Sequence, residues 1–166
     1  MAAAISGPPA VSTAAWVRRS DDSPPGSYLE QLLDEINAGR ARAGTAPLAY
    51  AGAGANDAIG RYLADLTPVL VAEGTCFHGG GTTLGMGWDY VAPADAIGEA
   101  RGEVLACPGR GHYWTAQAVA EAWWGSPSHR HTLYDDPSAD TVACGTHAPR
   151  DDGRAFRTVA CITYRR

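Results

Sequence analysis

The first helical pattern of polar and apolar residues begins at Ser27. Leu29, Leu32, Leu33, Ile36 and Arg40 would share one face of the helix. Ser27 and Glu30 have the spacing of a capping box, in which each side chain accepts a hydrogen bond from the other residue's backbone. Gly44 supplies the residue type that most often ends a helix. The pattern therefore predicts a first helix between Ser27 and Gly44.

A second helical pattern covers roughly residues 56–66. Its apolar face would consist of Ile59, Tyr62, Leu63 and Leu66. Pro68 lacks a backbone N–H and clashes with the preceding turn, so we expect it to end or kink this helix. Residues 74–98 are rich in Gly, Thr and Pro, which predicts a long loop of the kind that often carries function.

The second half of the chain begins with "GEVLAC", a short candidate for a buried strand. The segment "TAQAVAEAWWGS" predicts a third helix with Val119, Ala122 and Trp123 directed inward. Ser126 followed by Pro127 has the pattern of an N-cap and first helical residue, which predicts a short helix to about Leu133.

Two further strands flank Asp152-Gly153, a pair preferred in two-residue hairpin turns. Helices first, a hairpin last and one strand between them predict an α+β fold, with helices packed on a small antiparallel sheet.

The hairpin register also makes a prediction about the four cysteines. With Asp152-Gly153 as the loop, Cys144 lies directly opposite Cys161, so a cross-strand disulfide is geometrically plausible. Cys76 and Cys107 would then pair by elimination, although four cysteines allow three connectivities. Two bridges predict a secreted or extracytoplasmic protein, and the alternative is four buried thiols in a cytosolic one.

Composition narrows the classes of function. The 166 residues carry a net charge of −5 with no long run of one sign, which argues against a nucleic-acid partner. No apolar run approaches the roughly 20 residues of a transmembrane helix. Residues 1–26 are small, polar and interrupted by proline, so we expect a flexible leader before a single domain at 27–166.

Candidate chemistry is concentrated at His78, Glu103 and His129. Two neutral imidazoles and a carboxylate can bind Zn²⁺ with one position left open, or act as a general acid and base without metal. The spelling "HGGG" at residue 78 resembles an esterase oxyanion hole, but the sequence contains no G-x-S-x-G to supply the nucleophile. The simpler interpretation is that these histidines are hydrogen-bonded or surface residues.

The glutamates also have two interpretations each. Glu99 and Glu103 could form a glycosidase-like pair, but a glutamate in a buried strand is more easily explained as a hydrogen-bonding anchor for neighbouring backbone. Glu121 lies between alanines in the third helix, where a solvated face is the simpler interpretation.

Four segments in order resemble the CAP superfamily (cysteine-rich secretory proteins, antigen 5 and pathogenesis-related proteins), in its bacterial secreted branch. These are "LLDEINAGRARAGTAPLAY", "CFHGGG", "GEVLA" and "AVAEAWWGSPSHRHTLYDD", and the match covers about residues 28–166. The last resembles the bacterial W-x-x-S-P-x-H-R pattern and is the most specific of the four. In "GEVLA", Val104 stands where the family has Asn.

The resemblance implies an α-β-α sandwich with an open cleft lined by two histidines and two glutamates. By position the histidines are His78 and His129, which can hold Zn²⁺ or another divalent metal, and the strand glutamate is Glu103. The second glutamate normally lies on the helix before the second histidine, where Glu121 is nearby, and no residue is assigned to it.

The expected function is an extracellular binding module at the envelope or host interface, with a small-molecule, lipid or cell-envelope ligand. The expected assembly is a monomer or weak dimer. The alternative is a metal-assisted hydrolase of peptides, esters or glycans, with Glu103 as the base. A disulfide-stapled interaction domain with a vestigial cleft is a third possibility.

Overall fold

The computed structural model describes residues 27–95, 97–109 and 111–166. The helices are α1 (Tyr28–Ala43), α2 (Ala53–Glu73), α3 (Ala116–Gly125) and α4 (Pro127–Arg130). The strands are β1 (Ala49–Tyr50), β2 (Glu99–Ala106), β3 (Thr141–Pro149) and β4 (Phe156–Arg165). The leader predicted for residues 1–26 lies outside the described residues.

The four strands form one sheet in the order β1-β3-β4-β2. β4 pairs antiparallel with both β3 and β2, as expected for a hairpin next to an added strand. The two-residue strand β1 pairs parallel with β3, so the sheet is mixed and not wholly antiparallel as predicted. β2 is an edge strand, a position that matters for the candidate site.

Helices cover both faces of this sheet. On one face α2 packs against Leu105, Ala143, Ala160, Ile162 and Tyr164. On the other face α1 and α3 pack against Val104, Val142, Cys144, Val159 and Cys161. Alternate residues of a strand point to opposite faces, so each long strand contributes to both clusters. The predicted α+β sandwich is confirmed.

The predicted hairpin register is also confirmed, because Cys144 pairs with Cys161 and the two form a disulfide. The second bridge joins Cys76 to Cys107. The predicted two-residue turn is wrong. The N–H of Arg150 donates to the carbonyl of Ala155, which leaves a four-residue loop in which the Asp152 carboxylate accepts from the backbone of Arg154.

Helix α1 forms for the predicted local reasons. Ser27 and Glu30 make both bonds of the capping box, and Gly44 ends the helix with a left-handed φ of 77°. The buried Arg40 has a further role, because its guanidinium donates to the carbonyls of Leu133, Asp136 and Ala139. Arg40 thereby holds the chain that follows α4 against α1.

Helix α2 departs from the prediction, because it continues through Pro68 to Glu73. Proline deprives the carbonyl of Ala64 of its helical donor. Both Ala64 and Pro68 lie on the exposed side of the helix, where water can reach that carbonyl. Buried contacts before and after the proline, at Leu66 and Leu70, keep the helix on the sheet.

Helices α3 and α4 have the predicted order. Val119 and Trp123 are buried, but Ala122 is exposed, so that inward assignment is wrong. The short helix begins with Ser126 at the N-cap and Pro127 at the first position, and it continues into one wide turn at His131–Asp135. No helix within the described residues combines the length and apolarity needed to cross a bilayer.

Candidate functional site

His78 and Glu103 meet directly, with His78 Nδ1 2.7 Å from Glu103 Oε1. His78 lies in the loop that follows α2, immediately before a short 3₁₀ turn at Gly79–Gly81. Glu103 lies on β2 with Leu105 on the face covered by α2. The His78 side chain is 38% exposed and that of Glu103 is 0% exposed, so the pair connects the solvent-facing loop to the protein interior.

Glu103 is a buried carboxylate, and both of its oxygens accept hydrogen bonds. Its Oε1 also accepts from the Tyr62 hydroxyl at 2.9 Å, and its Oε2 accepts from the Gly87 N–H at 2.8 Å. These three donors take the place of most of the water that a carboxylate binds when it is exposed. This geometry fits the interpretation of Glu103 as an anchor for neighbouring backbone.

Tyr62 connects this carboxylate to the glycine loop. Its hydroxyl donates to Glu103 and accepts from the Gly79 N–H at 3.0 Å. Burial, with the Glu103 charge as a smaller contribution, raises the pKa of Tyr62 well above its usual range, so the phenol stays protonated and able to donate.

The packing around Gly79 explains why the first glycine of "HGGG" is needed. A Cβ at this position would lie 2.2 Å from the carbonyl oxygen of Gly85, so only glycine allows the loop to fold back this closely. Since its N–H is bonded to Tyr62, that N–H is not free to stabilise an oxyanion. Gly79 therefore has a structural role in the glycine loop.

His129 lies in α4 and is partly buried. Burial and then the neighbouring His78 lower the pKa of His129, so the two imidazoles are close enough to repel each other when charged. A lowered pKa keeps His129 neutral near pH 7, the form in which histidine binds metals.

The edge strand β2 is what brings the two histidine segments together. Gly102 packs against Thr132 of the turn after α4, where a Cβ would lie 2.6 Å from Thr132 Cγ2. The next residue, Glu103, points to the opposite face and holds His78. Two adjacent residues of β2 therefore contact His78 on one face and the turn that follows His129 on the other.

The remaining glutamates considered from the sequence lie elsewhere. Glu99 is exposed at the start of β2, where it pairs with Arg101. Glu121 is exposed on α3 and accepts from Gln117, and its charge helps to raise the pKa of Glu35 on α1. The solvated-face interpretation of Glu121 fits this position.

An open cleft adjoins His78 on its exposed side. It is lined by Val69, Glu73, Phe77, His78, Gly81 and Thr82. The end of α2 and the glycine loop form its walls, so a ligand bound at His78 would meet both apolar and polar side chains.

Within the three described stretches, no group of three or more His, Cys, Asp or Glu residues has the arrangement of a metal site. A metal site at His78 and His129 therefore stays a prediction from the sequence. Glu103 is a partner of His78 and not a third ligand, because its oxygens are already engaged.

The sequence does not reveal the polar role of Tyr62 or the two backbone N–H groups, of Gly79 and Gly87, that donate in this network. The helical pattern places Tyr62 on the apolar face of α2, and that is where its ring lies. No local pattern distinguishes a core tyrosine from one whose hydroxyl reaches a buried glutamate 41 residues away.

Neither a protein-family model nor a curated protein sequence matches the chain. Among solved structures, the chain is similar to an outer surface protein from Borrelia burgdorferi, with a TM-score of 0.52 and 18% sequence identity. The similarity covers 83% of this chain and 92% of that protein. At this identity the likeness concerns the fold alone.

Proposed function

We propose that this chain is a secreted CAP-like module that binds a divalent metal, with Zn²⁺ as the first candidate, or a small polar ligand between His78 and His129. The observation that supports the proposal most strongly is the buried Glu103 carboxylate, 2.7 Å from His78 Nδ1, with His129 nearby. A carboxylate behind a histidine is a common arrangement around metal-binding imidazoles.

The contact with Glu103 determines which nitrogen of His78 is available. When Nδ1 carries the proton and donates to Glu103, Nε2 keeps its lone pair for a ligand. Glu103 also fixes the orientation of the ring. His129 supplies the second imidazole, and burial, the largest cause of its lowered pKa, favours the neutral ring.

We also infer that the protein acts outside the cytosol. Both disulfides would persist in an oxidising compartment and be reduced in the cytosol. The Borrelia protein with a similar fold is an outer surface protein, which agrees with a role at a cell envelope or host interface.

The hydrolase alternative is less well supported, because Glu103 was its proposed base. A general base must reach the water that it deprotonates. Glu103 has no exposed side-chain surface, and its oxygens already accept three hydrogen bonds. Binding is therefore the function that this geometry favours.

Calorimetric titration of Zn²⁺ into chelator-treated protein tests the proposal. His78→Ala and His129→Ala should each lower the affinity at least about tenfold. His131→Ala is the matched control, because it removes an exposed histidine two residues from His129. Wild-type protein that binds Zn²⁺ no better than the His78/His129 double variant would refute the proposed site.

A further inference from the structure

We propose that Tyr62 is a positioning residue for His78, acting through two hydrogen bonds that reach the histidine by separate routes. One route is the side chain, since Tyr62 donates to the same Glu103 oxygen that contacts His78 Nδ1. The other is the backbone, since Tyr62 accepts from the N–H of Gly79, the next residue along the chain.

The two routes constrain different parts of the histidine. The Gly79 bond fixes the loop at the point where its backbone leaves His78. The Glu103 bond holds one carboxylate oxygen between the phenol and the imidazole, at 2.9 Å and 2.7 Å. A side chain that only filled the core would need neither bond.

The surroundings of Tyr62 make these bonds specific. Its side chain is fully buried on α2, so water cannot replace either of them. The ring also packs closely against the backbone of Gly79, where a Cβ would lie 3.0 Å from Tyr62 Cε2. The hydroxyl accepts from the Gly79 N–H in this buried setting, at 3.0 Å.

Tyr62→Phe tests this role, with Tyr164→Phe as its matched control. Tyr164 belongs to the same buried cluster, and its hydroxyl has no hydrogen-bond partner within the described chain. Both variants remove one buried hydroxyl, but only the first removes contacts that lead to His78.

The decisive measurement is the tautomer of His78, read from its two ring ¹⁵N chemical shifts in neutral protein. Wild type and Tyr164→Phe should show the Nδ1–H form, and Tyr62→Phe should show a mixture of both tautomers. In Zn²⁺ titrations, Tyr62→Phe should bind about tenfold or more weakly, whereas Tyr164→Phe should stay within about twofold of wild type.

An unchanged tautomer in Tyr62→Phe would overturn the inference. The affinity readout rests on the proposed function, but the tautomer does not. If wild type binds no Zn²⁺, the proposed function fails while the ¹⁵N shifts still decide the role of Tyr62. If Tyr62→Phe does not fold, amide hydrogen exchange in wild type decides instead: Gly79 should exchange slowly compared with Gly80, and equal rates would overturn the inference.

Discussion

Replacing Glu103 with glutamine separates a buried anchor from a solvent-accessible base. The substitution keeps the shape of the side chain but exchanges one acceptor oxygen for an NH₂ donor. In wild type, Tyr62 and His78 share Oε1, and Gly87 donates to Oε2. All three groups therefore approach the carboxylate as donors.

The amide cannot satisfy these donors in either orientation. If its oxygen faces Tyr62 and His78, its NH₂ meets the N–H of Gly87. If it is flipped, the NH₂ faces the Tyr62 hydroxyl and His78 Nδ1, so the O–H of Tyr62 loses its acceptor. One buried donor left without a partner costs about 1–3 kcal/mol. The surviving bonds also lose their charge assistance, which contributes about 1 kcal/mol more.

We therefore expect Glu103→Gln to lower the free energy of unfolding by about 2–4 kcal/mol. Proteins of this size have total stabilities of about 5–15 kcal/mol, so the variant should still fold and be measurable by urea denaturation. Glu121→Gln is the control, since Glu121 is exposed and its carboxylate accepts from the exposed Gln117 side chain. It should change stability by less than about 0.5 kcal/mol.

A Glu103→Gln variant within about 0.5 kcal/mol of wild type would refute this reasoning. It would mean that water reaches the carboxylate and that the three bonds are not a closed network. Hydrolytic activity that was present in wild type and lost in Glu103→Gln without loss of stability would favour the enzyme alternative instead.

Three further predictions concern the fold that carries the site. Arg40→Lys should cost about 3–5 kcal/mol in urea denaturation, because one ammonium cannot reach the separate carbonyls that the guanidinium binds. Replacing both Cys76 and Cys107 by serine opens a loop with a sequence separation of 31 and should cost about 3–4 kcal/mol, with weaker Zn²⁺ binding. An NMR titration should find the pKa of Asp152 at about 2, because the Arg150 side chain is hydrogen-bonded to its carboxylate. The pKa in the folded protein is then lower than in the unfolded chain. The Arg150–Asp152 pair therefore stabilises the fold above about pH 4, and this stabilisation is lost as the pH falls through about 2.

Most of the secondary structure was predictable because its causes are local. The capping box of Ser27 and Glu30 and the left-handed Gly44 depend on neighbours in sequence, and both formed as predicted. The register that places Cys144 opposite Cys161 follows from the position of the turn, even though the loop has four residues in place of two.

The errors have causes at longer range. Pro68 signals a helix end, but packing of α2 on the sheet overrides that local preference. Strand β1 has two residues, too few for a pattern, and it forms because β3 offers a free edge. Glu103, His78 and His129 were found as candidates from the sequence, but the role of Glu103 depends on Tyr62 and Gly87, which only the fold brings to it.

The position of β2 at the sheet edge makes one last prediction about how the two histidines are held together. Gly102 contacts Thr132, three residues after His129, while Glu103 on the opposite face holds His78. A Cβ at residue 102 would lie 2.6 Å from Thr132 Cγ2, which is closer than side chains pack, so Gly102→Ala must displace Thr132 in the turn after α4.

We expect Gly102→Ala to weaken Zn²⁺ binding about tenfold while the ring ¹⁵N shifts of His78 stay as in wild type, because Glu103 is not displaced. Gly125→Ala is the control, since a Cβ there meets nothing within 4 Å. Unchanged affinity in Gly102→Ala would mean that the spacing of the two imidazoles is not set by β2. A shifted His78 signal would mean that the two faces of the strand do not act separately.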